Sequence, residues 1–94
     1  MEKYFYKHMK ALERQLKAFA NKRRLAIVSY LKRRGQSSVG DIASGIKLSF
    51  KATSKHLVIL YGADVLEKQQ VSLTVLYALG QSQTAITKAI INVL

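Results

Sequence analysis

A mainly α-helical fold carrying one small β-hairpin is what this sequence predicts, on three observations. Apolar residues recur at three- and four-residue spacing as far as Tyr61, and again near the end of the chain. Between Leu73 and Leu79 the period changes to strict alternation. The chain has no proline, so its five glycines supply most of the punctuation. At 94 residues it is one small domain, residues 1–94, near the low end of what a single core can stabilise.

The first element, residues 1–20, is a long amphipathic helix. Phe5, Met9, Leu12, Leu16 and Phe19 are spaced by 4, 3, 4 and 3 and make one continuous seam. Lys3, Lys7, Lys10, Arg14 and Lys17 lie away from it, and Glu13 can pair with Lys17 at i,i+4. Asn21 caps a second helix, KRRLAIVSYLKRR, stopped by Gly35, with Leu25, Ile27, Val28 and Leu31 on its apolar side. Ser38 and Asp41 read as a capping box with Asp in place of Glu or Gln, opening a short helix, VGDIASG, that ends at Gly45. IKL forms a turn, and Ser49 caps the next helix, which runs to about Tyr61 with Gly62 as its stop.

In that helix Thr53, His56, Leu57 and Leu60 fall at i, i+3, i+4 and i+7 and form the buried face, with Ile59 on its flank. Lys51, Ser54, Lys55 and Val58 point outward. A solvated helix surface usually mixes charge signs, yet no acid occurs between Asp41 and Asp64. A short helix, a tight turn and a second helix with a cationic polar face, residues 39–61, make a helix-turn-helix, whose second helix enters the DNA major groove.

VLEKQQ and LTVLYAL, within residues 65–79, read as two strands, with Leu73, Val75, Tyr77 and Leu79 on one face. Their connection near Val71 and Ser72 lacks Gly, Asn or Asp. A hairpin after a helix-turn-helix is a wing, which completes the order α-α-α-α-β-β-α of a winged helix-turn-helix. The last helix, residues 82–94, aligns Ile86, Ile90 and Val93, and Lys88 is the only charge between residues 69 and 94. So apolar a helix is explained by burial against another subunit, and the seam of the first helix serves both the core and a second copy.

The net charge of +11 is uneven. Residues 1–34 hold eleven of the sixteen Lys and Arg against Glu2 and Glu13, a net of +9, and residues 35–94 carry the remaining +2. Such an excess points to a polyanion, nucleic acid ahead of an anionic membrane surface. No run of about 18 apolar residues suggests a membrane span, and MEKYFYKHMK lacks the apolar centre of a signal peptide. A chain without cysteine has neither disulfides nor thiolate metal sites. The expected location is the cytoplasm.

LKAFANKRRLAIVSYL resembles the opening of the ArsR/SmtB family of winged-helix repressors, L-K-A-L-A-[DN]-P-x-R-L-x-I-L-x-x-L. Asn21, Arg24 and Leu25 match, and Lys22 stands for the usual Pro. LSFKATSKHLVIL is similar to the family's recognition helix, L-S-Q-S-x-[VT]-S-x-H-L-x-x-L, with Ser49, Ser54, His56 and Leu57 in register. The register continues without gaps through Val65 and Leu66 to Tyr77 and Leu79. The resemblance implies a dimeric DNA-binding regulator.

The family's metal chemistry does not carry over. Ser38, Val39 and Gly40 stand where well-known members have a Cys-Val-Cys box, and residues 81–94 hold no Asp, His or Glu. His56 occupies a family position and reads as a half-buried packing residue able to donate to a phosphate. No metal and no cofactor are expected, and no effector is identified. The wing departs as well, since EKQQVSLT has no Gly at its tip and a single Lys, although Lys68, Gln69 and Gln70 remain candidates for a minor groove or phosphates.

The expectation is therefore a homodimeric, sequence-specific regulator of double-stranded DNA, a repressor without metal sensing. Ser49, Phe50, Lys51, Ser54, Lys55 and His56 face the groove, and Arg23, Arg24, Lys32, Arg33 and Arg34 reach phosphates. Phe5, Met9, Leu12, Leu16, Ile86, Ile90 and Val93 form the dimer interface. The alternatives are a weakly specific architectural coat on DNA and a winged-helix protein-interaction module. Five acids, two separated histidines and no phosphate-cradling glycine loop speak against an enzyme.

Overall fold

The computed structural model describes residues 2–94. Its elements run α1 (Glu2–Phe19), α2 (Lys22–Arg34), β1 (Ser37–Ser38), α3 (Val39–Ile46), α4 (Phe50–Gly62), β2 (Leu66–Val71), β3 (Thr74–Leu79) and α5 (Ala85–Val93). This is a winged helix-turn-helix with one strand more than expected.

Side-chain caps start four of the helices where short polar residues precede apolar periodicity. Asn21 Oδ1 accepts from the backbone of Arg23 and Arg24 at 3.0 and 3.1 Å. Ser38 Oγ accepts from Asp41 N and Ser49 Oγ from Ala52 N, both at 3.1 Å. Asp41 makes no return bond, so only one arm of the expected capping box is formed. Thr84 caps α5, which begins at Ala85 rather than Ser82. Gly35 closes α2 at φ 74°, its N–H donating to Leu31 O at 2.8 Å.

Gly45 does not stop α3. The helix continues to Ile46 and is ended by Lys47 in the left-handed region. What Gly45 provides is room: a Cβ there would run into the Tyr30 ring of α2. At the other end of the helix-turn-helix, α4 includes Gly62, and Asp64 carries the positive φ of 62° that redirects the chain into the wing.

The sheet is antiparallel with strand order β1-β3-β2. Leu66 pairs with Leu79 and Val71 with Thr74, leaving Ser72 and Leu73 as the turn. Ser72 takes the positive φ of 57° itself, without Gly, Asn or Asp. Leu73 therefore belongs to the wing tip, 95% exposed, and does not share the inward face of Val75, Tyr77 and Leu79. β1 pairs Ser37 with Tyr77 and joins the wing to the start of α3.

Ile27, Val28, Ile42, Leu57, Leu60 and Val65 are fully buried at the centre, closed by Phe19 from α1 and Ile91 from α5. Among the described residues α1 is buried only at Gln15, Ala18 and Phe19; of its seam, Phe5 and Leu16 are exposed and Met9 and Leu12 half-buried. In α5 the inward residues are Thr87 and Ile91; Ile90 also packs against the core, while Val93 is 82% exposed. A polar knot joins three elements: Gln15 Nε2 donates to Ala63 O at 3.3 Å, and Thr84 Oγ1 donates to Gln15 Oε1 at 2.8 Å.

Among the described residues, one buried side-chain polar atom has no partner. Thr53 is fully buried and its Oγ1 makes no hydrogen bond. Thr53→Val should raise stability by about 1 kcal/mol, because it removes an unpaired hydroxyl at nearly constant shape. Leu57→Ala, one turn on, should cost about 2–5 kcal/mol through the cavity it opens. Urea denaturation followed by circular dichroism checks both, and a destabilised Thr53→Val would mean that the hydroxyl has a partner.

Candidate nucleic-acid interface

With Thr53, Leu57 and Leu60 turned into the core, helical geometry presents the opposite side of α4 to solvent. Phe50, Lys51, Lys55 and Val58 are exposed and Ser54 is half-buried among them. Together these five residues line one shallow groove. Ser49 lies at the head of this face, its hydroxyl engaged as the N-cap. No ion pair involves α4 among the described residues, so Lys51 and Lys55 present their charge to solvent.

The cations of α2 divide into two kinds. Arg24 is half-buried and fixed at the end of α1, where Nε donates to Ala18 O at 2.6 Å and Nη2 to Lys17 O at 3.1 Å. There it satisfies carbonyls that the helix terminus leaves open and sets a positive charge at the negative end of the helix dipole. Lys32 does the same for α5, its Nζ donating to Ile91 O at 2.9 Å. Arg23, Arg33 and Arg34 are exposed and form no ion pair among the described residues.

His56 lies between these groups, half-buried, with Nδ1 3.4 Å from Arg24 Nη1. Burial first, and then the positive charges of Arg24 and Arg23, hold its pKa below the ordinary 6.5. The imidazole is therefore neutral near pH 7, with Nδ1 accepting from Arg24 and the proton on Nε2.

The wing contributes little charge. Lys68 Nζ sits 4.3 Å from the centre of the Tyr61 ring, a cation–π contact that ties β2 to the end of α4. Gln69 accepts from Gln36 Nε2 at 3.2 Å, and Gln70 Nε2 donates to Ser72 O within the turn. Sequence reasoning leaves Tyr61 and Gln36 out of the site, although an aromatic residue in the last turn of α4 is a signal for the first. Spacing already places Val58 outward, and the structure sets it in the same groove as Lys51 and Lys55.

The remaining sequence candidates, Phe5, Met9, Leu12, Leu16, Ile86, Ile90 and Val93, lie elsewhere, on α1 and α5. Leu12 and Ile86 line a concavity of about 850 Å³ between α1, the wing base and the start of α5. Met9, Leu12 and Leu16 line a second one along α1. No group of three or more potential metal ligands exists among the described residues. Ser38, at the family's thiolate position, caps α3 with its hydroxyl, so the residues present do not fit a soft metal ion.

A hairpin wing beside a helix-turn-helix whose second helix has a cationic outer face is the architecture of winged helix-turn-helix DNA-binding proteins. Residues 21–68 match the bacterial regulatory protein, arsR family. The chain belongs to that family and is a DNA-binding transcriptional regulator rather than an enzyme. It is similar to HlyU from Vibrio cholerae, with 33% identity over 93% of this chain and 90% of that one, at a TM-score of 0.78. It is also similar to the transcriptional repressor PagR of Bacillus anthracis, with 26% identity over 94% and 97% of the two chains and a TM-score of 0.78. The homodimeric winged helix-turn-helix DNA-binding domain Mb0332 from Mycobacterium bovis shares the fold, with 23% identity over 94% and 79% of the chains and a TM-score of 0.81. No curated protein matches the sequence.

The His56 geometry sets a pH dependence. Its pKa is lowered in the fold, so the unfolded chain binds more protons between that lowered value and 6.5. The stability it contributes is complete above pH 6.5 and is lost as the pH falls through this window. His56→Gln should flatten that segment of a stability-against-pH curve measured by thermal unfolding. An unchanged slope would show that His56 is not the titrating group.

Proposed function

We propose that the chain is a homodimeric repressor that reads a palindromic duplex with two α4 helices, in the cytoplasm and without a metal effector. The observation that carries the reading is the outward face of α4, which presents Lys51, Ser54 and Lys55 and no acid. Two such helices related by a two-fold axis would enter successive major grooves. Ser49 and Phe50 lie at the leading end of α4, where recognition helices contact bases. Arg23, Arg33 and Arg34 have uncommitted donors for phosphates, and His56 can offer Nε2–H. Arg24 and Lys32 act first as helix caps. Lys68, Gln69 and Gln70 make the wing a secondary contact.

On this reading residues 1–20 and 82–94 dimerise, 39–61 form the helix-turn-helix and 65–79 the wing. Support for the dimer comes from the uncovered apolar residues of α1 and α5, with Phe5 54% and Leu16 44% exposed. A small monomer rarely leaves so much continuous apolar surface in water. The Mycobacterium bovis domain is homodimeric and PagR is a repressor, and both share this architecture.

Leu16→Glu combined with Val93→Asp should convert the protein to a monomer in sedimentation equilibrium and abolish tight duplex binding. Wild-type protein that sediments as a monomer at micromolar concentration would overturn the dimer.

Groove and phosphate residues should fail differently. Lys51→Ala or Lys55→Ala should cost roughly 1–3 kcal/mol on a selected duplex and relax base preference. Arg33→Ala should weaken all duplexes alike and reduce the slope of log affinity against log salt by about 0.9 for each phosphate it no longer neutralises. Fluorescence anisotropy with selected and scrambled duplexes at several salt concentrations separates them. An unchanged ratio of selected to scrambled affinity in both lysine variants would favour an architectural coat.

A further inference from the structure

Phe50, Ser54 and Val58 lie at i, i+4 and i+8 and form one ridge of α4, with Lys51 and Lys55 on the ridge beside it. Phe50 is 63% and Val58 62% exposed, whereas Leu57, next to Val58 in sequence, is fully buried. Neither Phe50 nor Val58 joins the core cluster. One exposed apolar residue would need no explanation. Here two stand at opposite ends of a groove whose middle is Lys51, Ser54 and Lys55. The face is thus apolar, cationic, then apolar again.

The cationic middle selects the occupant of this groove. No acid lies between Asp41 and Asp64, which matches a polyanion and not a neutral apolar protein surface. Within a DNA major groove, the base-edge feature that favours an apolar side chain is the 5-methyl group of thymine. Eight residues of α-helix rise about 12 Å, which is at most about three to four base steps of roughly 3.4 Å along the duplex axis, and fewer for a helix inclined along the groove.

We infer that Phe50 and Val58 read thymine methyl groups at two positions of each half-site, about two to four base pairs apart, with Lys51 and Lys55 over the bases between them. The inference rests on the proposal that α4 is the helix in the major groove, and it adds which bases that helix prefers. A cytosine methylated at carbon 5 places the same methyl in the groove and would be accepted in place of thymine.

The test begins with a duplex selected from a random pool. Its thymines are then replaced one at a time by deoxyuridine, which removes the methyl and keeps both the base pair and the O4 acceptor. Affinity by fluorescence anisotropy should fall about fourfold for each contacted methyl, and about sixteenfold when the symmetric position is replaced too. Two positions per half-site should respond, and the others should not. Restoring a methyl there with a 5-methylcytosine–guanine pair should bind more tightly than unmethylated cytosine–guanine.

Val58→Ala should lose the response at one of the two positions and Phe50→Ala at the other. Both residues are exposed, so thermal unfolding of each variant should match wild type. Equal affinity for thymine and uracil duplexes at every position would overturn the inference and leave the placement of α4 standing. Duplex affinity unchanged in both variants would also overturn it, and would assign this apolar surface to a protein ligand. If no duplex is enriched from the pool, the placement of α4 itself fails and the inference with it.

Discussion

The rotation of α4 about its own axis is the constraint on which the surface of this protein depends. Leu57 and Leu60 are fully buried between α2, α3 and the base of the wing, and removing either from its socket would open a cavity. A helix held at these two points cannot turn. The 3.6-residue period then dictates that residues 50, 51, 54, 55 and 58 face away from the core. Their chemistry is free to vary, because none of them holds the fold together.

The helix ends carry a second constraint, and it links α2 to everything around it. Arg24 closes the carbonyl end of α1, and Lys32 closes that of α5. Gln15 bridges the end of α4 to the cap of α5 through Ala63 and Thr84. The helices proposed to dimerise are therefore joined by hydrogen bonds to the elements that hold the recognition helix. Partner burial at α1 and α5 would stabilise the placement of α4 through these bonds, by the general rule that binding to the native state adds to its stability.

Much of this architecture is legible in the sequence because its signals are local. Asn21, Ser38 and Ser49 are short side chains that bond their own backbone, so a cap can be read without knowing what the helix touches. The buried face of α4 is legible from spacing alone. Gly45 misleads for the opposite reason: its need for space comes from Tyr30, on another helix. β1 has two residues and no periodicity, and it exists only because Tyr77 and Leu76 present a free edge. The wing turn is placed one residue early, near Val71 and Ser72, because Ser72 adopts a conformation that its side chain does not advertise. At the site, sequence names the cations but cannot divide them, since Arg23 and Arg24 are neighbours with opposite fates. Arg24 is bonded to α1 and Arg23 is left to solvent.

That division bears on how the protein would hold a polyanion. In many winged helices the wing adds cations to those of the recognition helix, but here its single lysine lies over Tyr61 and its glutamines bond within the protein. The +9 of residues 1–34 is therefore the main source of long-range attraction, and all of it sits on α1 and α2. Such attraction acts on any phosphate and carries no sequence information. Discrimination falls to the few side chains that reach base edges, and on the proposed reading those belong almost entirely to α4. A neutral wing thus separates the roles of the elements. On that reading the second helix would supply charge, β2 and β3 brace α4 through Lys68 and Tyr61, and the outer face of one helix would distinguish one duplex from another.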